Sequence, residues 1–168
     1  RAKKYLSALL CGIIEEQMPL HYLQGPQGMK IRTCNPFLQK VDQRMFPEYG
    51  QFLRSENREE IYLQLIAQKT RRGIYGGSLM APLHDIYKLR DNAHCFNVGD
   101  ENIETRIMAD CVLNFFTYLL KSCLVALMNT RDNALKQYVL NAENLPILDY
   151  PTSDDVLAFL QLQVDDAK

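Results

Sequence analysis

From residue 3 to 18, "KKYLSALLCGIIEEQM", the apolar residues Tyr5, Leu6, Leu9, Leu10, Ile13, Ile14 and Met18 recur at spacings of one, three and four. That period predicts an amphipathic helix with a wide apolar stripe, stopped by Pro19. Gly12 within it lowers helicity and leaves room for a second helix to approach closely. Pro19, Gly25, Pro26 and Gly28 then mark a loop, in which "MKIRT" is a candidate for a short extended piece. A second helix is expected from Asn35 as N-cap and Pro36 at N1, with Phe37, Leu38, Val41 and Met45 on its apolar face and Pro47 at its end.

A third helix is expected after Asn57, burying Ile61, Tyr62, Leu65 and Ile66. Lys69, Arg71 and Arg72 fall where its negative end favours cations, and Gly73 where a C′ residue favours glycine. Pro82 should open a short helix using Leu83, Ile86 and Tyr87, followed by a loop, "RDNAHCFNVGD". Asp100 then caps the longest helix, roughly 101–129, whose second half, "CVLNFFTYLLKSCLVALM", is apolar almost all round. About 20 apolar residues are needed to span a membrane. Asn114, Lys121 and Ser122 interrupt this run, so it reads as a core helix surrounded by neighbours. "TRDNALKQYVL" predicts a short helix. Thr152 with Asp155 resembles a capping box opening a last helix that carries Val156, Leu157, Phe159, Leu160 and Val164. No strand pair and no repeat are evident. The expected fold is all-α: a compact bundle of six or seven helices around the buried helix 101–129.

At 168 residues, 47% of them hydrophobic, the chain is sized for one domain (1–168) with its own core. Its first residue, Arg1, leads us to expect a domain excised from a longer protein, and no secretory signal is visible. Five cysteines at irregular spacing, with no CxxC pair, suit reduced and mostly buried thiols in a cytoplasmic or nuclear protein. The net charge of −1 conceals an asymmetry. Residues 1–90 hold 14 Lys and Arg against 8 Asp and Glu, and residues 91–168 hold 5 against 12. Neutralisation within the fold or between copies needs no outside ligand and is the first expectation.

Catalytic motifs are missing: there is no GxxxxGK[ST], no GxGxxG and no GxSxG. His84, His94, Cys95 and Cys34 are the candidate metal ligands, but their spacing matches no zinc module. A nucleophilic Cys95 beside a histidine lacks any orienting motif. The carboxylate pairs, such as Glu15-Glu16 and Glu59-Glu60, read as capping and solubility groups. No cofactor, metal or small-molecule substrate is therefore expected, and no membrane partner. What remains is the basic segment 69–90, Lys69, Arg71, Arg72, Tyr75, Lys88 and Arg90, with Lys30 and Arg32 in an earlier loop. Arginines grip phosphate or carboxylate bidentately, glycines let backbone approach, and Tyr75, directed outward, could stack on a partner. The leading expectation is a non-enzymatic interaction or assembly domain, scaffold or regulatory, that binds a protein or copies of itself. The alternative expectation is a domain binding RNA or a single strand, as part of a viral or nuclear RNA-handling assembly, through the same eight residues. A pI near 6.3 weighs against the latter.

Overall fold

The computed structural model describes residues 2–24, 30–78 and 80–128. Among these the chain is mostly helical, with five α-helices and one two-stranded antiparallel hairpin. The helices expected beyond residue 129 lie outside the described residues.

Helix α1 (Ala2–Gly12) runs into a π-helical turn (Ile13–Gln17) and a 3₁₀ turn (Met18–Leu20) that holds Pro19. Of the expected apolar stripe, Leu10, Ile13, Ile14 and Met18 are buried. Gly12 does not serve a close helix contact: a Cβ added there would meet nothing within 4 Å. The chain then forms β1 (Tyr22–Gln24) and β2 (Lys30–Arg32), paired with Tyr22 opposite Arg32 and Leu23 opposite Ile31. This hairpin corrects the expectation that no strands pair. Three residues a side are too few for periodicity to register.

The expected helix after Asn35 is only a 3₁₀ turn, Asn35–Phe37, with an irregular stretch behind it. Pro47 does not end a helix but begins one: α2 (Pro47–Ser55) has Pro at its first position and Glu48 in its first turn. Asn57 is likewise displaced from its expected role. It does not cap the third helix; it ends α2 at φ 52°. The Arg58 N–H bonds the Leu53 carbonyl at 2.8 Å and the Asn57 N–H bonds that of Arg54 at 3.2 Å, a Schellman closure with asparagine at C′.

Helix α3 (Leu63–Arg71) closes as its sequence predicts. Gly73 lies at φ 71°, its N–H reaches the Thr70 carbonyl at 3.1 Å, and the Ile74 N–H reaches that of Lys69 at 3.0 Å. Helix α4 (Met80–Phe96) is much longer than expected and absorbs most of "RDNAHCFNVGD". Tertiary partners hold that stretch helical: Asn92 donates to the Glu59 carbonyl at 2.8 Å, and Asp91 accepts from Arg58 at 2.7 Å.

Helix α5 (Ile103–Met128) packs along α4, and α3 lies against α1 and α4. Leu63, Ile66, Leu83, Ile86, Val112, Leu113, Phe116 and Leu120 meet in one buried cluster with the end of α1. Fully burying each such side chain stabilises by about 1.5–3 kcal/mol. Within the described part of α5 the burial is one-sided rather than complete: Tyr118 is 64% exposed and Asn114 half-buried. No described helix is long and apolar enough to cross a membrane.

Candidate functional site

The basic segment comes together around carboxylates of the same chain. Asp85, on the buried face of α4, accepts from Lys69 Nζ at 2.6 Å and from Tyr75 Oη at 2.5 Å, both on Oδ2. Lys69 also lies 5.1 Å from the centre of the Tyr75 ring, and Lys88 Nζ is 3.9 Å from Asp85 Oδ1 and 3.8 Å from Glu59. Tyr75 therefore turns inward, against the outward orientation expected of it, and packs on the core. Burial first, and then the Asp85 carboxylate, push its phenol well above the ordinary tyrosine range. The turn from Arg72 to Gly77 makes this return with three left-handed glycines: Gly73, Gly76 and Gly77. Ile74 and Arg72 remain at its exposed tip.

Arg71 pairs with Glu15 in the π-helical turn after α1, and Arg90 Nε with Asp110 of α5 at 2.8 Å. His94 Nε2 shares that same Asp110 oxygen at 2.7 Å. Four of the seven candidate cations are thus met by carboxylates. Arg72, Lys30 and Arg32 are met by none among the described residues. Lys30 and Arg32 instead flank the half-exposed ring of Tyr22 on the hairpin, 4.8 and 5.3 Å from its centre, and Arg32 donates to the Leu20 carbonyl.

The candidate metal ligands do not converge. His84 is exposed, His94 bonds Asp110, Cys95 lies 3.4 Å from an Arg58 nitrogen, and Cys34 is buried beside Thr33. Among the described residues no three His, Cys, Asp or Glu side chains could hold one ion.

A second feature was not read from the sequence. The 3₁₀ turn and the irregular stretch after it (36–46), the first turn of α2, residues 60–62, the C-terminal half of α4 with the residue after it (Leu89, Ala93, Phe96, Asn97) and Thr105 of α5 enclose an open cleft of about 250 Å³. Phe37, Phe46, Tyr49, Tyr62 and Phe96 line it, with Glu60 in its wall. Of these lining residues Phe46 is 55% exposed, and Met45, which precedes it in the chain, is 71% exposed. Tyr49 meets Phe96 edge-on at 5.0 Å. One signal for it was available: five aromatic residues fall between 37 and 62. Assigning Met45 to a helix's buried face hid what they build.

No protein-family model matches the chain, and neither a curated protein nor a solved structure is similar to it at a significant level.

Proposed function

We propose that this chain is a non-enzymatic interaction or assembly domain of the cytoplasm or nucleus, engaging a protein partner or a second copy at the aromatic cleft. The observation that carries this is a cleft lined by five aromatic residues, one of which, Phe46, is 55% exposed and is preceded in the chain by the exposed Met45. Adjacent large apolar side chains in water beside an apolar recess are what a docking anchor needs on one side of an interface. Methionine adds an adaptable contact, and aromatic rings supply area at little entropic cost. The basic segment offers less for this role, because carboxylates of the chain already meet most of its cations.

A photo-crosslinking residue at position 45, with exposed Val98 as the control position, tests the proposal in cells expressing the protein. The expected outcome is a discrete crosslinked protein, or a crosslinked dimer, from position 45 and not from 98. Crosslinks from neither position, with a strictly monomeric mass across a wide concentration range, would remove its basis.

A nucleic-acid reading keeps one specific observation in its favour: the half-exposed ring of Tyr22, on the β1–β2 pair, lies beside two cations that no described carboxylate neutralises. Tyr22, Lys30 and Arg32 could stack on a base and meet the adjoining phosphates.

A further inference from the structure

We propose that the aromatic cleft binds an organic ammonium group, seated against its rings and beside Glu60; this rests on the cleft being the partner site. Phe37, Phe46, Tyr49, Tyr62 and Phe96 all line one space of about 250 Å³. Aromatic faces carry the negative side of a quadrupole and attract cations, most strongly where water is displaced. Glu60 adds a full negative charge to the same wall. Its Oε1 accepts the Val41 N–H at 3.1 Å and its Oε2 the Gln43 amide at 3.5 Å. Both donors are neutral, so they hold the carboxylate in place without cancelling its charge, and each oxygen keeps a further acceptor site.

Among the described residues no Lys, Arg or His lines the cleft. The cation whose charge reaches Tyr49 is Arg58, and it is already engaged: it bonds Asp91 at 2.7 Å and Asn92 at 3.3 Å, and lies over Phe52. Burial and Glu60 together push the Tyr49 phenol up to about 12, against a smaller opposing influence from Arg58, so the ring stays neutral at physiological pH.

These features select among ligands. An anion would be repelled by Glu60 and by the ring faces. A neutral apolar group would fill the space but leave the carboxylate without a counter-charge. A methylated ammonium spreads its charge over apolar surface, loses little hydration on entry, and meets both the rings and the carboxylate. The cleft is smaller than the roughly 300–1,000 Å³ of drug-sized sites, which suits a headgroup with a short stem. The same headgroup could arrive as the methylated lysine of a protein partner or as a free choline-like amine.

Calorimetric titration of the whole chain with three compounds decides the matter: choline, a short peptide bearing trimethyllysine, and 3,3-dimethyl-1-butanol, the uncharged isostere of choline. An ammonium compound should bind, with the isostere about tenfold weaker. Glu60→Gln, which keeps an acceptor for Val41, and Phe46→Leu, at an exposed lining residue, should each weaken ammonium binding by about five- to tenfold with an unchanged melting temperature. Phe46→Leu carries the test alone if Glu60→Gln proves unstable. A peptide much tighter than choline identifies a lysine side chain as the source; equal or tighter choline identifies a free amine. Equal binding of choline and its isostere, or no heat from either ammonium compound up to about 10 mM (beyond the millimolar range of weak ligands), overturns the assignment. Because the titrations need no protein partner, that failure beside intact crosslinking at position 45 removes the ligand chemistry and leaves the docking site standing.

Discussion

Asp85 is only 4% exposed, and an ionised carboxylate is held at that depth by the two donors that reach it. Lys69 supplies a counter-charge and Tyr75 a short hydrogen bond, so one oxygen ties the end of α3 and the turn behind it to α4. Removing the partners in turn separates their roles. Tyr75→Phe should cost about 1–2 kcal/mol in urea unfolding, the loss of one bond to a charged acceptor. Asp85→Ala should cost more, about 2–4 kcal/mol, because it leaves the partly buried Lys69 ammonium and the Tyr75 hydroxyl without their shared acceptor. Equal losses from the two substitutions would show that the ion pair adds nothing. The buried thiols make a separate prediction. Burial pushes Cys34 up to about 12, with the Thr33 hydroxyl opposing it, and pushes Cys111 up to about 11 with help from Asp110. Unfolded, both thiols ionise near their ordinary value of 9.0. Between pH 9 and 11 the unfolded chain therefore binds fewer protons than the folded one, and stability falls as pH rises, by about 1.4 kcal/mol per pH unit for each such thiol. Urea midpoints measured across that window should decline, and Cys34→Ala should flatten the slope by roughly one thiol's share, about 1.4 kcal/mol per pH unit.

At the scale of elements, what the sequence revealed depended on whether an element is decided locally. The close of α3 was legible because two cations and a glycine at C′ are a local arrangement, and Gly73 sits at φ 71° as that arrangement requires. The start of α1 and the span of α5 were legible for a similar reason: long apolar periodicity needs no knowledge of partners. Helix α2 was not. Pro47 permits either a stop or a first turn, and Asn57 either an N-cap or a left-handed C′, so the same two residues bracket opposite structures. The second half of α4 falls in "RDNAHCFNVGD", the stretch expected to be a loop. Tertiary partners hold it helical: Asn92 bonds Glu59 and Asp91 accepts from Arg58, each more than thirty residues away, and Arg90 and His94 both reach Asp110 of α5. Two glycines turn this distinction into a measurement. Gly12 has right-handed helical angles (φ −61°, ψ −43°) and open space around its missing Cβ, so Gly12→Ala should stabilise by about 0.5–1 kcal/mol. Gly73→Ala also meets no neighbour, yet its positive φ strains any side chain and should cost about 1 kcal/mol. Opposite shifts in melting temperature are expected. Shifts of the same sign would mean that backbone handedness does not decide the effect of a Cβ at these two positions.

Across the whole molecule, the charge asymmetry between the two halves is partly resolved within the fold. Arg58 with Asp91 and Arg90 with Asp110 cross from the basic half to the acidic one, while Lys69, Arg71 and Lys88 find carboxylates in their own half. The asymmetry was legible in the sequence, but its partners were not, because a pair such as Arg71 with Glu15 joins positions 56 apart. The candidate contact surface was correspondingly only half legible: its residues were identified by charge, yet charge alone cannot say whether a cation faces solvent or a carboxylate. This makes the nucleic-acid reading quantitative. Single-strand binding releases about 0.7 counterions per phosphate contact. If all seven candidate cations gripped phosphate, the logarithm of the binding constant would fall with the logarithm of salt at a slope of about −5. Arg72, Lys30 and Arg32 are those not matched by a described carboxylate, and three contacts give a slope of about −2. Fluorescence anisotropy with a labelled single-stranded RNA between about 50 and 200 mM salt distinguishes these cases. The expected outcome is weak binding with the shallow slope, abolished by Lys30→Glu with Arg32→Glu and less affected by Arg71→Glu. A slope near −5 would mean that Lys69, Arg71, Lys88 and Arg90 exchange their carboxylates for phosphate on binding, and would move the functional surface from the aromatic cleft to the basic segment.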